Sequence, residues 1–434
     1  MNGKRLRLTL HCIAAAIAAT GVARPASAGN GTVPGYGLGD QTIQYQQNGS
    51  PNTKVDWPYG LTPILHLRTF YFDADTLTDT RQEAWAIGGW AGLRTGFISD
   101  VFQVGVTGYT SQKLYGPEDR DGTKLLRTGQ EQITVLGEAY GAVKFLDQTF
   151  IGYRQLVNRP FIDQNDTRMV PHVFEGYTLR GAPDGWQYMV GYLTKVKVRD
   201  SDQFKWFSQQ AGAANSQEGM IIAGVTIPFL KSGFVRLDEQ YVKDTFNTVY
   251  IDGLYPIPYD QDTTFAVGAQ YYPQDAVSGK QLGDFKTWGA GVTGLMTWRE
   301  LTLQLAYAQT GNEHDTLNPW GDHVSYLNLM QVAFNTAGEQ GWLVGAAYDF
   351  GKLVTPGLTG IVNYAQGSSR RDFTTGDGLP NRNETNIRLD YAFPKGHVLE
   401  GFSATFRYSW LHQDGGSPTA TQLRAYLNYE IPFR

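Results

Sequence analysis

The sequence predicts an all-β protein, a transmembrane antiparallel β-barrel of about 18 strands. Segments of about ten residues with alternating apolar and polar side chains repeat from Thr62 to the end of the chain, and a tilted strand needs about that length to cross a bilayer. Short and long connections alternate between these segments. Glycine is abundant, with 51 residues, and aromatic residues make up 13% of the chain, which also favours a barrel with aromatic interfaces.

The first 28 residues have the features of a secretory signal peptide. Three basic residues precede a mostly apolar run, Leu8–Val22, and Ala26-Ser27-Ala28 offers a small-residue cleavage site. The apolar run is too short for a membrane helix. We therefore predict three parts: a signal peptide over residues 1–28, a periplasmic lead-in over residues 29–61 and a barrel over residues 62–434.

Charge and cysteine content exclude several protein classes. Cys12 is the only cysteine and lies in the signal segment, so the mature chain has no disulfide and no cysteine-ligated metal. Removing the four basic residues of that segment leaves 32 basic against 41 acidic residues, a net charge of −9. This charge argues against a general nucleic-acid-binding protein. After the signal segment no run of 18 apolar residues predicts a transmembrane helix.

Each predicted strand follows from period-two alternation, which places successive side chains on opposite faces. The last strand is clearest, with Leu423, Ala425 and Leu427 on one face and Arg424 and Tyr426 on the other. In chain order the predicted strands are Thr62–Phe72, Glu83–Phe97, Val101–Thr110, Gln130–Phe145, Thr149–Val157, Val173–Arg180, Trp186–Val198, Glu218–Phe229, Gly233–Lys243, Phe246–Tyr255, Thr263–Tyr272, Lys286–Met296, Leu301–Gln309, Gly341–Phe350, Pro356–Gly367, Glu384–Phe393, Leu399–Leu411 and Thr421–Phe433.

The lengths of the connections predict the orientation of the barrel. Short links follow the even-numbered strands, and long or polar links such as Asn158–His172 and Thr310–Gln340 generally follow the odd-numbered ones. Short periplasmic turns and long extracellular loops are typical of bacterial outer-membrane barrels. No fixed-period repeat supports a soluble β-helix or propeller. We therefore predict a location in the Gram-negative outer membrane, in contact with its lipid.

The same alternation assigns a set of cations to the water-filled face of the barrel. They are Arg68, Arg94, Arg154, Arg180, Lys195, Lys197, Arg236, Arg388, Arg407 and Arg424. The last three lie on neighbouring strands and would form a row of guanidinium groups that offers an anion successive bidentate hydrogen bonds. Acidic Glu138, Asp238 and Asp390 would face the same lumen, so a zwitterion also fits. The alternative is that these charges pair with one another and stiffen the wall.

Signals for catalysis are weak. The chain has no HExxH, G-x-S-x-G or P-loop motif, and we predict no catalytic residue, no metal and no cofactor. The best single candidate for a catalytic role is His172, in the charged loop after the fifth strand; a structural hydrogen bond is the commoner role for such a residue. An outer-membrane enzyme, an adhesin and a channel for uncharged solutes are the alternative functions.

Several motifs, in their order and spacing, resemble the OprD family of outer-membrane porins. The resemblance covers nearly all of Leu65–Phe433. The motifs are LHLRTFYFDAD, EAWAIGGWAGLRTGF with LYGPEDRDGTKLL, GYRQLVNRPFIDQNDTRMVPHVFEGYTLRG, GEQGWLVGAAYDFGKLVTPGLTGIVNYAQGS, IRLDYAFPKGHVLEGFSATFRYSWL and LRAYLNYEIPF.

This resemblance implies a monomeric 18-stranded barrel whose third extracellular loop folds inward to form a constriction, with help from the seventh loop. It implies that a ladder of basic residues guides small carboxylate-bearing solutes, such as amino acids or aromatic acids. Arg168 and Asp166 would belong to the constriction, and Arg388, Arg407 and Arg424 to the ladder. The implied partners are small anionic or zwitterionic solutes, outer-membrane lipid and the barrel-assembly machinery.

Overall fold

The alternating segments form strands at all 18 predicted places, and the strands join into one closed antiparallel sheet. The computed structural model describes residues 60–416 and 418–431. The predicted signal peptide and nearly all of the predicted lead-in lie outside the described residues.

The described residues contain 19 strands, of which one is a two-residue addition to the predicted set. They are β1 (Thr62–Asp75), β2 (Arg81–Arg94), β3 (Phe102–Tyr115), β4 (Ile133–Phe145), β5 (Gln148–Gln155), β6 (Val173–Gly181), β7 (Gln187–Lys197), β8 (Lys205–Trp206), β9 (Met220–Phe229), β10 (Gly233–Val242), β11 (Phe246–Pro258), β12 (Thr263–Ala276), β13 (Lys286–Trp298), β14 (Leu301–Thr310), β15 (Gln340–Asp349), β16 (Leu358–Ser368), β17 (Arg382–Ala392), β18 (Phe402–Gln413) and β19 (Ala420–Glu430).

Helical structure in the described part of the chain is confined to single turns. A four-residue helix covers Phe207–Gln210, and 3₁₀ turns cover Glu118–Arg120, Pro183–Gly185 and Phe350–Lys352. Within residues 60–416 and 418–431, no helix has the length and apolar character needed to cross a membrane.

Pairing between the first and last strands closes the sheet. Neighbours in sequence pair antiparallel, and β1 pairs with both β2 and β19, where Phe72 lies opposite Arg424. The short β8 pairs with only two residues of β7, and β7 also pairs directly with β9. The wall therefore has 18 strands, and its closure satisfies the backbone hydrogen bonds that lipid would leave unpaired.

The two faces of the wall differ in chemistry as the alternation predicts. On β19, Leu427 is 55% exposed on the outer face whereas Arg424 is 3% exposed on the inner face. On β1, Leu67 is exposed and Arg68 is buried. An apolar outer surface and a polar interior are the arrangement that a bilayer around the barrel requires.

Strand pairing near the extracellular ends of β5–β7 overturns the prediction that Arg154 and Lys195 line the lumen. Arg154 lies opposite Glu175, while its neighbour Gln155 lies opposite Phe174, a buried residue of the interior. Directly opposed residues share a face, so Arg154 and Glu175 lie on the outer face, and so does Lys195, which opposes Glu175. For Lys195 the reason is a register shift between β6 and β7 at Glu175, because one displaced residue reverses the alternation. Arg154 keeps the regular alternation of β5 and shares its face with the exposed Phe150, so the face predicted for this residue was itself wrong.

Two long extracellular loops fill the outer half of the barrel. We call them L3 (residues 156–172) and L7 (residues 311–339). Ile162 of L3 and Trp320 of L7 are buried in one apolar cluster with the wall residue Phe174. Burial of one large apolar side chain stabilises a fold by about 1.5–3 kcal/mol, so these loops gain far more inside the barrel than in water. The predicted inward fold of the third loop is confirmed.

Candidate functional site

L3 is tied to the wall at two nearly opposite points of the barrel. Near its start, Arg159 donates to both carboxylate oxygens of Asp238 on β10, at 2.6 and 2.8 Å. Further along, both oxygens of Asp166 accept from Arg68 on β1, at 2.6 and 3.1 Å. Because β1 and β10 lie nearly half-way around the sheet from each other, L3 crosses the lumen and divides it into an outer and an inner part.

L7 lies against L3 and completes the partition. The Asp322 backbone N–H donates to the Asp163 carboxylate at 3.1 Å, and the Asn165 side chain donates to the Gly321 carbonyl at 3.1 Å. Nδ1 of His172 lies 3.2 Å from the Trp320 carbonyl oxygen. Burial and nearby cations hold the pKa of His172 well below its usual value. The structure therefore gives His172 a structural hydrogen bond at the loop junction.

The loop junction also holds two carboxylates close together. Burial and the Asp322 charge raise the pKa of Asp163 to about 7. Burial lowers the pKa of the neighbouring His323 to about 4. The contact between L3 and L7 is therefore sensitive to protonation of Asp163 near neutral pH.

The tip of L7 is fixed beside the last strands of the barrel. The backbone N–H groups of Gln331 and Val332 donate to the Glu384 carboxylate on β17, at 2.9 and 3.0 Å. Arg424 on β19 donates to the Met330 carbonyl at 2.8 Å. These contacts place the L7 tip next to the predicted row of guanidinium groups.

The register of β17, β18 and β19 brings the three predicted cations into one line. Arg388 lies directly opposite Arg407, and Arg407 directly opposite Arg424. Directly opposed residues in antiparallel strands have Cβ atoms about 4.5–5.5 Å apart, so the three side chains form a continuous arginine row on the inner face. One carboxylate oxygen of Asp390 lies 2.6 Å from Arg388, and Gln422 accepts two hydrogen bonds from Arg424, at 2.7 and 3.0 Å.

A cavity of about 520 Å³ lies where L3 and L7 meet the wall near the arginine row. Its lining includes four cations, which are Lys124, Arg168, Arg199 and Arg424, and two carboxylates, Asp75 and Asp322. Arg168, as predicted, belongs to L3, and it donates to the carbonyls of Thr123 and Thr167. Burial and the neighbouring Arg199 lower the pKa of Lys124.

Sequence reasoning missed Lys124 and Arg199 because both lie in extracellular loops, where alternation gives no information on side-chain direction. A lysine within the charged LYGPEDRDGTKLL segment was the only available signal for Lys124. Lys124 belongs to L2 (residues 116–132) and Arg199 to L4 (residues 198–219). Both side chains line the cavity because these loops pack beside L3.

Other predicted cations are held by the wall or by L3. Arg236 donates to both oxygens of Asp252 at 2.8 and 2.6 Å, and both side chains are buried. Arg68 is paired with Asp166, as described above. For these two arginines the structure favours the alternative that charges pair and stiffen the barrel.

The remaining two predicted arginines lie on the inner face below the loops. Arg180 donates to Gln155 at 2.7 Å and to the Leu156 carbonyl at 2.8 Å. Arg94 shares its face with Trp90, which contacts the buried Tyr109. Among the described residues, no three histidine, cysteine or acidic side chains are grouped as a metal site requires. The arrangement of guanidinium donors is suited to binding anions.

Comparisons with known proteins agree with this architecture. A family model described as "outer membrane porin, OprD family" matches residues 60–433. Porin D of Pseudomonas aeruginosa is 21% identical over 399 residues, which cover 85% of this chain and 90% of that protein.

Solved structures of similar proteins share the fold. OccAB3 of Acinetobacter baumannii has a TM-score of 0.79 and 20% identity, covering 86% of this chain and 99% of its own. OccK9 (OpdG) of Pseudomonas aeruginosa has a TM-score of 0.77 and 20% identity, covering 86% and 98%. OpdK of Pseudomonas aeruginosa, solved with vanillate, has a TM-score of 0.76 and 19% identity, again covering 86% and 98%.

Proposed function

This chain belongs to the OprD family of outer-membrane porins, and we propose that it is a passive channel that prefers small carboxylate-bearing solutes. The solutes are amino acids, aromatic acids or other organic acids, and they pass the partition made by L3 and L7. The single observation that carries the proposal is the arginine row, Arg388–Arg407–Arg424, beside the L7 tip. Channel function is the family's function, so the enzyme alternative is set aside.

The charges around the partition support an anionic solute. The cavity beside the arginine row is lined by four cations and two carboxylates. A low-dielectric wall focuses such a field and raises the local concentration of the oppositely charged solute. The two carboxylates, Asp75 and Asp322, leave room for a zwitterion with its ammonium group turned away from the row.

The row suits transport better than retention. A channel must bind its solute strongly enough to attract it and weakly enough to release it. Three neighbouring guanidinium groups allow a carboxylate to exchange one bidentate partner for the next. We expect an affinity in the millimolar range, about −4 kcal/mol.

A similar channel supports the class of solute. OpdK was solved with vanillate, an aromatic carboxylate, and we extend that class to this chain. The monomeric state and assembly by the barrel-assembly machinery are further parts of the proposal.

Solute flux into proteoliposomes tests the proposal. We expect benzoate to enter faster than benzamide, which has nearly the same size and no charge. Replacing Arg388 and Arg407 by Gln should reduce benzoate entry and leave benzamide entry nearly unchanged. Arg299→Gln is the matched control, because Arg299 pairs with Asp262 at an exposed turn. Equal entry of benzoate and benzamide through the wild-type channel would contradict the proposed preference for carboxylates, and faster entry of benzamide would indicate a preference for uncharged solutes.

A further inference from the structure

The cavity beside the arginine row carries more positive than negative charge. Its described lining contains four cations and two carboxylates. Of the carboxylates, Asp322 accepts from the His323 backbone N–H at 2.9 Å and from the Asn328 side chain at 3.0 Å, and Asp75 is exposed at the end of β1. The lining therefore has a net charge of +2, four cations less two carboxylates, and a solute with two negative charges would balance it.

The four cations belong to two groups on different parts of the fold. Lys124 of L2, Arg168 of L3 and Arg199 of L4 are called the loop cations below, and Arg424 of β19 belongs to the arginine row. Burial and the charges of Arg199 and Arg168 lower the pKa of Lys124. The loop cations are therefore close enough to repel one another, and an anion beside them would offset this repulsion.

The ring of Phe72 on β1 limits the distance between the two groups. Its centre lies 5.0 Å from Cζ of Arg168 and 5.8 Å from Cζ of Arg424. The two Cζ atoms are therefore within about 11 Å of each other, the sum of these distances. A carboxylate oxygen lies about 2.7–2.9 Å from the nitrogen of a charged donor, so two carboxylates joined by a short carbon chain fit this span.

The volume of the cavity also fits such a solute. About 520 Å³ corresponds to about 17 water molecules at the volume of liquid water. A short chain with a carboxylate at each end fits there together with part of its hydration water. The neutral lining supports the chain, because Phe72, Leu329 and Met330 provide apolar surface between the two groups of cations.

We propose that the channel binds dicarboxylates in preference to monocarboxylates, with one carboxylate on the arginine row and the other on the loop cations. This inference rests on the proposed carboxylate channel and narrows its solutes to acids with two separated negative charges. Each carboxylate accepts charge-assisted hydrogen bonds from its own group of cations. A monocarboxylate of the same size satisfies one group and leaves the other partly desolvated without an anion, which is unfavourable.

Three solutes of nearly equal size test this preference. At neutral pH succinate carries two negative charges, succinamate carries one and succinamide carries none. The concentration dependence of single-channel current interruptions in the refolded barrel gives a dissociation constant for each. We expect the constant of succinate to be about tenfold lower than that of succinamate, which corresponds to about 1.4 kcal/mol and lies near the lower end of the contribution of one hydrogen bond to a charged group.

Substitutions of the loop cations test where the second carboxylate binds. Arg168→Gln and Lys124→Gln should each reduce the preference for succinate over succinamate and leave succinamate binding nearly unchanged. Arg168 also donates to the Thr123 carbonyl, so its loss can disturb L3. Lys124→Gln is the decisive variant, because Lys124 forms no ion pair within the part of the chain that the structure describes. Lys113→Gln is the matched control, since Lys113 is exposed on β3 and lies outside the described lining of the cavity.

The outcomes distinguish this inference from the proposed function. Equal dissociation constants for succinate and succinamate would overturn the dicarboxylate preference, and the carboxylate channel would stand if both solutes bound more tightly than succinamide. Equal binding of all three solutes would contradict the carboxylate channel itself. An equal loss of succinate and succinamate binding in Lys124→Gln would also overturn the inference, because the loop cations would then act on any anion.

Sulfate is a competitor that separates charge from shape. It carries two negative charges on one compact group and cannot place a carboxylate at each group of cations. We expect sulfate, at the same concentration as succinate, to leave most of the succinate interruptions in place. Displacement of succinate by an equal concentration of sulfate would show that net charge alone explains the preference and would overturn the requirement for two separated carboxylates.

Discussion

Arg68 and Asp166 form a two-contact ion pair, with N–O distances of 2.6 and 3.1 Å, that ties L3 to β1. Both residues were predicted to line the pore. The same guanidinium also donates to the Arg168 carbonyl and, at 2.6 Å, to Asn428. The pair therefore fixes the position of L3 more than it supplies charge to a passing solute.

Asp166→Asn should loosen L3 without unfolding the barrel. The amide keeps one acceptor oxygen but loses the charge that holds Arg68. We expect a larger and noisier single-channel conductance in planar bilayers. Asp73→Asn is the matched control, because Asp73 pairs with Arg81 on the outside of β1. Unchanged conductance in Asp166→Asn would mean that the other contacts of L3, with Asp238 through Arg159 and with L7, hold it in place without this ion pair.

Arg236→Gln should destabilise the barrel and leave its anion preference intact. The substitution leaves Asp252 buried without its partner, and breaking a buried ion pair costs about 3–5 kcal/mol. The measurement is equilibrium unfolding of the purified protein in denaturant. A second measurement on the same variant is the ratio of the benzoate entry rate to the benzamide entry rate, which should equal the ratio of the wild type. A lowered ratio of benzoate to benzamide entry with unchanged stability would indicate that Arg236 lines the pore and contacts the solute.

The junction of L3 and L7 should weaken as the pH rises from about 4 to about 7. The folded junction raises the pKa of Asp163 to about 7, whereas a released loop restores a pKa of about 4. Between these values the closed junction holds a proton that the released loop has lost, so the junction is most stable at the acidic end of this range. His323, with a pKa lowered to about 4, and His172 are neutral over most of it.

Channel noise measured from pH 5 to pH 8 tests this dependence. Wild-type noise should grow with pH and level off above about pH 7, when Asp163 is ionised in both states of the loop. Asp163→Asn should show a nearly flat profile, because its side chain does not titrate. An equal rise in the variant would assign the pH effect to another group.

Glu384→Gln should release the tip of L7 in part. The Glu384 carboxylate accepts hydrogen bonds from the backbone N–H groups of Gln331 and Val332. The amide has only one acceptor oxygen and no charge, so one of these hydrogen bonds is lost. A hydrogen bond to a charged group contributes about 1.5–3 kcal/mol. We expect more frequent conductance fluctuations and a weaker preference for carboxylates. Glu300→Gln, in an exposed turn beside Lys352, should behave as the wild type.

Alternation and connection length were sufficient to predict the barrel. Apart from local register shifts, the wall strands keep a two-residue period, and that period also placed Arg388, Arg407 and Arg424 on one face of adjacent strands. Closure of the sheet between β1 and β19 follows from the same pattern, because a lipid-exposed edge would leave backbone groups unpaired.

The sequence did not reveal bulges or register. Glu175 carries no signal that alternation reverses beside it, so Lys195 was assigned to the wrong face. Arg154 was assigned to the wrong face because the two faces of the short β5 differ little in polarity. Pairing of Arg236 with Asp252 depends on which residues face each other across β10 and β11, and alternation alone does not determine that. Lys124 and Arg199 reach the site through loop packing, which depends on contacts between residues distant in sequence.

Single-channel current of the refolded barrel, recorded with a panel of small carboxylates and their amides, tests the proposed carboxylate channel most directly. We expect steady conductance steps that at least one carboxylate interrupts and its amide does not. In the variant with Arg388, Arg407 and Arg424 replaced by Gln, those interruptions should become rarer while the channel still opens. Interruptions of equal frequency and duration in the wild type and the triple variant would contradict a role of the arginine row in binding carboxylates.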